Sequence, residues 1–360
     1  MKIHYLVTSF DGGGAEFAMI PILRLFRQAG HEIEITACQA GDMLAALRLK
    51  EAGFSYNILF EKRKSKVRTI LKLISFLRKS GKPDIIVVSL TRATIVGQIA
   101  GAILRLPVIS WKHSASLKFC TFWGRHLSKV WLADSYAVGN FVKNVMKISP
   151  SKIMVWPLFY SEDREIIRAP WTKNRPLKIG SVGRLDKVKN YPLFLEGLAL
   201  FMRKYPEYAD QITFSILGEG SDRSRIEETI QRLGLTDHVQ LLGYFPEVYS
   251  YLDTIDLYTQ PSIYEGMCLA AHEAIATGLP LMARPVGEMK ISLQNDVGFS
   301  LGEDLPQSVC ETLKRIFDDP SLIEEKGKKA LAYAKTTYSK KAFDDAGHAV
   351  LARMQTLIKS

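Results

Sequence analysis

Asp256-Leu257-Tyr258-Thr259-Gln260-Pro261-Ser262-Ile263-Tyr264-Glu265-Gly266-Met267-Cys268-Leu269-Ala270-Ala271-His272-Glu273-Ala274-Ile275-Ala276-Thr277-Gly278-Leu279-Pro280 holds one full unit of the pattern that runs through this chain. It opens as an apolar, strand-like run over 256–259, breaks at Pro261-Ser262, and becomes helix-like where Ala and Leu take over. Gly278 followed by Pro280 ends that helix, because glycine tolerates the left-handed conformation just past a helix and proline cannot continue one. A further apolar run, Leu279–Ala283, follows at once. Strand, helix, strand in this order predicts a parallel β-α-β unit.

The same alternation extends in both directions. In the first half, strands are expected at Lys2–Thr8, Glu32–Ala37, Asp84–Ser89, Pro107–Trp111, Lys129–Asp134 and Lys152–Trp156, with helices between them such as Glu16–Ala29 and Ala93–Leu104. A polar, charged stretch bracketed by prolines follows, and 166–176 reads as a linker. From Leu177 the pattern restarts, with strands expected at Leu177–Val182, Gln211–Leu217, Val239–Leu242, Asp256–Thr259 and Leu279–Ala283. The expectation is an α/β chain of two Rossmann-like domains, 1–165 and 177–340, facing each other across a cleft. A last amphipathic segment, 341–360, is expected to cross back to the first domain.

At 360 residues the chain is comfortable for two cores, and 47% hydrophobic with 24% charged residues describes an ordinary globular protein. Cys38, Cys120, Cys268 and Cys310 lie far apart with no C-x-x-C pair, which argues against a zinc site or disulfide framework and fits a reducing cytosol. The most apolar stretch, Ala93 to Ile109, is too short and too interrupted (Gln98, Arg105, Pro107) to span a membrane. The formal charge of +11 is lopsided: residues 1–170 hold 25 Lys and Arg against 12 Asp and Glu, whereas 171–360 are slightly acidic. The densest basic run, 62–82, overlays an apolar stripe at Val67, Ile70, Leu71, Ile74 and Leu77. This is either a surface helix docked on a sheet with solvated lysines, or a segment drawn to an anionic membrane surface or anionic glycan. No motif for nucleic acid accompanies the charge.

Chemistry concentrates at the ends of the expected strands. Glu265 and Glu273 flank a helix start, and eight residues at about 1.5 Å rise span roughly 12 Å, on the order of the reach from a hexose ring across a diphosphate to a ribose. The helix start between them offers backbone N–H groups and a positive dipole end to a phosphate. Gly12-Gly13-Gly14 follows the first strand and allows close backbone approach to a ligand, but it is not the G-x-G-x-x-G dinucleotide fingerprint, which rules against a dehydrogenase. Ile179-Gly180-Ser181-Val182-Gly183-Arg184-Leu185-Asp186-Lys187-Val188-Lys189 puts three cations, Arg184, Lys187 and Lys189, after the strand that opens the second half. No D-x-D triplet occurs, so no metal-bridged diphosphate and no metal or other cofactor is expected.

Taken together, the Glu265–Pro280 run, the Gly13-Gly14-Ala15-Glu16 loop, the Gly183-Arg184-Leu185…Lys189 run and Leu217-Gly218-Glu219-Gly220 resemble the retaining family 4 glycosyltransferases (glycosyltransferase group 1), which have the GT-B fold. The resemblance covers nearly the whole chain and is strongest over 178–285. It departs at Phe17, where the family often has Arg, and at Trp156-Pro157-Leu158-Phe159, where many members have Asn-Gly-(Val/Ile)-Asp.

The resemblance implies retaining, metal-independent transfer of a sugar from a nucleotide-diphosphate donor, with uridine favoured, to an acceptor hydroxyl. By it, Glu265 and His113 face the donor sugar as the catalytic pair. Arg184, Lys189, Gly13, Gly14 and the backbone of Gly266, Met267, Cys268 and Leu269 hold the diphosphate. Glu273, Gly218 and Tyr244 serve the ribose and base. The basic first half points to a glycan or lipid-linked acceptor, as in cell-surface polysaccharide or lipopolysaccharide synthesis, and to a cytoplasmic protein peripheral on the inner membrane face. The alternatives are a nucleotide-sugar epimerase and a non-catalytic nucleotide-sugar-binding partner of another transferase. The intact Glu265, Glu273, Arg184 and Lys189 set argues against the latter.

Overall fold

The computed structural model describes every residue except Lys118, Asp163, 165–168 and Ser360, and the backbone alone of Cys120. Positions 166–168 of the expected linker therefore lie outside the described residues, as does the Cys120 side chain. The chain divides into two compact units, one formed by Met1–Phe159 with Lys341–Ser360 and the other by Tyr160–Lys340.

The first unit is built on seven parallel strands: β1 (Lys2–Val7), β2 (Glu32–Ala37), β3 (Tyr56–Ile58), β4 (Ile85–Ser89), β5 (Val108–Lys112), β6 (Val130–Ala133) and β7 (Ile153–Val155). Their order in the sheet is β3-β2-β1-β4-β5-β6-β7, so the chain reverses direction beside β1. The second unit holds six: β8 (Leu177–Val182), β9 (Ile212–Leu217), β10 (Val239–Gly243), β11 (Leu257–Gln260), β12 (Leu281–Ala283) and β13 (Gly298–Ser300), in the order β10-β9-β8-β11-β12-β13. Both sheets are doubly wound, and in such sheets ligands gather at the carboxyl ends of strands beside the reversal, here after β1 and β4 and after β8 and β11. The three-residue strands β3 and β13 sit at sheet edges and are too short to announce themselves in the sequence.

Each core has its own logic. In the second unit Ile179, Phe194, Phe214, Ile216, Leu257 and Leu313 are fully buried between sheet and helices. Trp171, in the stretch read as a linker, is also buried there, 5.3 Å from the Phe317 ring. Nearby, Arg175 grips Asp256 with two hydrogen bonds of 2.6 Å. In the first unit the C-terminal helix, Lys340–Lys359, buries Phe343, Gly347, Val350, Leu351 and Met354. The Phe343 ring lies 5.3 Å from Trp156, and a Cβ on Gly347 would come within 2.6 Å of that indole.

One sequence expectation needs correction. The helix Lys66–Lys79 forms, but its buried stripe is Thr69, Ile70, Leu73, Ile74 and Leu77. Ile70, Leu73, Ile74 and Leu77 pack on Val88, Val96 and Ala100, so the helix is rotated and Val67 and Leu71 point outward, 66% and 62% exposed. The two stripes overlap at Ile70, Ile74 and Leu77, and only contact with β4 and the neighbouring helix decides between them. The apolar Ala93–Ile109 stretch is the helix Thr91–Leu104 followed by β5. Among the described residues no helix is long and apolar enough to cross a membrane.

Candidate active site

β11 ends in Gln260, and the chain turns there through Pro261-Ser262 toward Glu265. The Glu265 carboxylate is fixed through one oxygen: Oε1 accepts from Lys189 Nζ at 2.9 Å and from Gln260 Nε2 at 3.1 Å. Gln260 also donates to Ser262 Oγ at 2.6 Å, and its own Oε1 accepts from the Tyr258 hydroxyl at 3.0 Å. Tyr258, Gln260 and Ser262 are all fully buried. The other oxygen of Glu265 is bound to no protein group among the described residues. Lys189 and Glu265 are 17% and 14% exposed, so the pair is sheltered yet reachable. Burial works against the Lys189 ammonium, but the acidic groups around it, the Glu265 carboxylate first among them, together outweigh that and raise its pKa.

Lys189 is delivered by a short 3-10 turn, Lys187–Lys189, whose Asp186 side chain caps the Val188 N–H at 3.0 Å. The turn is locked to the Glu265 loop, because Ile263 N donates to the Val188 carbonyl at 2.8 Å. Gly183 precedes it and packs closely on the lysine, since a Cβ would lie 3.0 Å from Lys189 Cε. Arg184 is exposed and makes no ion pair among the described residues.

The helix Leu269–Ala276 begins after Cys268, which takes the left-handed conformation at φ 57°. Glu273 thus lies little more than one turn inside the helix, because the left-handed residue Cys268 delays its start. The amides of Gly266, Met267, Cys268 and Leu269 donate to no group among the described residues. The Cys268 thiol is pushed up by burial and then by the Glu265 charge, which leaves its backbone rather than its sulfur as the usable group. Burial and then the Glu273 carboxylate raise the pKa of the Tyr249 hydroxyl.

Two glycines set the spacing. Gly218 (φ 149°) ends β9, donates to the Gly243 carbonyl at 2.8 Å, and has the Gly183 carbonyl where a Cβ would stand, at 2.0 Å. Gly287 (φ 55°) presses on the Glu265 and Gly266 carbonyls, and a Cβ there would meet them at 2.7 and 2.6 Å. Tyr244, just past β10, is 54% exposed. Sequence reasoning missed Tyr258, Gln260, Ser262 and Gly287. The available signal was a Gln closing an apolar strand, where nothing but an interior partner explains an amide.

In the first unit, His113 follows β5. Its Nε2 lies 2.8 Å from Ser89 Oγ at the end of β4, and its Nδ1 lies 3.7 Å from Asp134 Oδ2 past β6. The ring is 10% exposed and stacks near Trp111. Ser135, beside Asp134, caps the next helix by accepting from Val138 N. In the glycine loop, the Gly13 amide is bonded to the Asp11 carbonyl at 2.9 Å, while the Gly14 amide is bonded to no group among the described residues. Among the described residues no cluster of three or more His, Cys, Asp or Glu is placed to hold a metal ion.

Comparison with known proteins agrees along the chain. Residues 12–164 match the family model described as Glycosyltransferase Family 4, and residues 163–337 match the one described as Glycosyl transferases group 1. A Campylobacter jejuni GalNAc-alpha-(1->4)-GalNAc-alpha-(1->3)-diNAcBac-PP-undecaprenol alpha-1,4-N-acetyl-D-galactosaminyltransferase is 24% identical over 347 residues, covering 90% of this chain and 91% of that protein. A second enzyme of that organism, N-acetylgalactosamine-N,N'-diacetylbacillosaminyl-diphospho-undecaprenol 4-alpha-N-acetylgalactosaminyltransferase, is 28% identical over 201 residues, spanning 54% of this chain and 52% of its own length. Among solved structures, Anabaena HepE in complex with UDP-glucose superposes with a TM-score of 0.82 at 18% identity, covering 98% of this chain and all of that one. With successive family models matched from residue 12 to 337, and a whole-chain likeness to a GT-B structure, this chain belongs to the group 1 glycosyltransferases of family 4.

Proposed function

We propose that the protein transfers a sugar, with retention of anomeric configuration and without a metal, from a uridine-diphosphate donor to a hydroxyl of a lipid-linked glycan. The observation that carries this reading is the Lys189–Glu265 pair beside the unbonded amides of 266–269. Breaking a sugar–phosphate bond builds negative charge on the departing diphosphate and positive charge on the sugar ring. Lys189, the exposed Arg184 and the amide row would stabilise the first, Arg184 through a planar fork and Lys189 as a point charge. The unpartnered oxygen of Glu265 would face the second. Glu273 would hold the ribose hydroxyls, with Gly218 and Tyr244 on the base side. His113, braced by Ser89 and near Asp134, would contribute a polar contact to the sugar, and the Gly13–Gly14 loop a close approach to the phosphates. The departing phosphate would take the acceptor proton. The uridine preference draws on the UDP-glucose bound by HepE, and the lipid-linked acceptor on the undecaprenol substrates named for the Campylobacter enzymes.

The test is nucleotide release from a panel of UDP-, GDP- and ADP-sugars in EDTA. One donor is expected to be slowly hydrolysed, and Glu265→Ala and Arg184→Ala should each lower that rate by about 10²-fold or more, the usual effect of losing a charge-stabilising group. Binding of no donor, or turnover unchanged in both variants, would reject the assignment.

A further inference from the structure

In the first unit, the helices Lys66–Lys79 and Thr91–Leu104 and the short helical turns over 119–127 pack side by side. Their outer surfaces carry apolar side chains interleaved with Lys and Arg. Val67 and Leu71 point out of the first helix, and Ile103 out of the second, at 56% exposure. The second helix has no charged residue after Arg92, and Ile95, Ile99, Ala102 and Ile103 fall on one face by their i, i+4, i+7, i+8 spacing, the first two only half-buried. Beyond it stand Phe119 and Trp123, 77% and 68% exposed, with their rings 5.9 Å apart. Scattered exposed apolar side chains are normal, but a run shared by three adjacent elements marks a contact surface.

The charge around this face narrows what it meets. Residues 62–133 contain fifteen Lys and Arg and a single acidic residue, Asp84. That carboxylate accepts from the Lys2 amide at 2.7 Å, at the opposite end of the sheet from the Lys66–Lys79 helix start. Lys62, Arg63, Lys64, Arg68 and Lys72 are all exposed. A second copy of the chain would bring the same positive face against itself. Apolar and aromatic side chains rimmed by Lys and Arg are instead the composition of elements that lie in a membrane interface and draw on anionic headgroups.

We propose that this three-element face, and not the 66–79 helix alone, seats the first unit on an anionic lipid bilayer, with Phe119 and Trp123 entering the headgroup region. Such seating holds the protein where a lipid-linked acceptor resides. Lipid binding is read without any sugar donor, so its failure and a failure of transfer are distinguishable.

The experiment uses the full-length chain with large vesicles of phosphatidylcholine alone, or of phosphatidylcholine and phosphatidylglycerol in a two-to-one ratio, at low salt. Co-sedimentation is expected with the anionic vesicles only. Trp111, Trp131, Trp156 and Trp171 are buried, so Trp123 alone reports the surface. Its emission should shift to the blue on binding, and the shift should vanish in Trp123→Phe. The triple substitution Lys64→Glu, Arg68→Glu, Lys72→Glu should weaken binding by about a hundredfold. Ile103→Ser with Phe119→Ser should also weaken it while leaving the melting curve in place. The proposal is overturned if the protein stays in solution with anionic vesicles, if the charge-reversed variant binds as well as the parent, or if these substitutions instead abolish a concentration-dependent dimer.

Discussion

Glu265 Oε1 accepts hydrogen bonds from both Lys189 and Gln260, and that shared oxygen orients the carboxylate. A carboxylate tethered only to a lysine could swing on a flexible ammonium. Gln260 stops this, because its amide is pinned on both sides by buried hydroxyls, Ser262 Oγ taking the N–H and Tyr258 giving its proton to the carbonyl. Gln260→Leu keeps the volume and removes the tether. We expect kcat for donor hydrolysis to fall about tenfold with KM nearly unchanged, since an orientation useful at the transition state is lost while the diphosphate contacts stay. Stability should fall by about 1–3 kcal/mol, the usual cost of unpairing buried polar groups. A rise in KM with unchanged kcat would mean that Gln260 only supports the binding loop. Steady-state kinetics beside urea denaturation separate these outcomes.

At the scale of elements, the helix Leu269–Ala276 is held by a residue the sequence offered no reason to notice. His272 is fully buried, with Nδ1 3.1 Å from the Cys268 carbonyl and Nε2 3.2 Å from Ser292 Oγ. Burial lowers its pKa from 6.5 to about 4. The unfolded chain therefore takes up the proton first as pH falls. The stability contribution is intact above pH 6.5 and is lost progressively down to the folded pKa of about 4. At 1.36 kcal/mol per unit, wild-type stability should drop by about 2 kcal/mol more than that of His272→Asn between pH 7 and 5. Equal pH slopes in the two proteins would refute this. The alternation of strands and helices and the helix stop at Gly278 (φ 73°) were legible in the sequence, because each rests on local pattern, while Lys189 and Glu265 stood out through the motifs that resemble the family. The edge strands β3 and β13 were not, being three residues long and defined by pairing alone. Nor was the rotation of the Lys66–Lys79 helix, where two overlapping stripes satisfy the same periodicity. Gln260 and Gly287 reach the Glu265 loop through contacts that exist only after the sheet has formed.

On the scale of the whole molecule, the two units differ in how the chain builds them. The second is continuous, Tyr160–Lys340, while the first is assembled from 1–159 and the last twenty residues. Those last residues are part of a core: Phe343, Val350, Leu351 and Met354 are buried, and Phe343 and Gly347 close over Trp156. Each such side chain contributes about 1.5–3 kcal/mol when buried, so removing four forfeits on the order of the entire stability of a typical domain. It also exposes Trp156, which is otherwise sealed between Phe26, Trp111 and Phe343. A fragment of residues 1–159 should therefore fail to fold cooperatively, whereas 160–340 should fold as an independent domain with its own melting transition. Adding a peptide of residues 341–360 to the 1–159 fragment should restore a cooperative transition, with burial of Trp156 read from its fluorescence. If 1–159 melts sharply by itself and the peptide changes nothing, the terminal helix is an accessory rather than part of the first core. Gly347→Val in the full chain provides the local control, because it forces the helix off the indole without removing any of it, and it should lower the first unit's transition while sparing the second's.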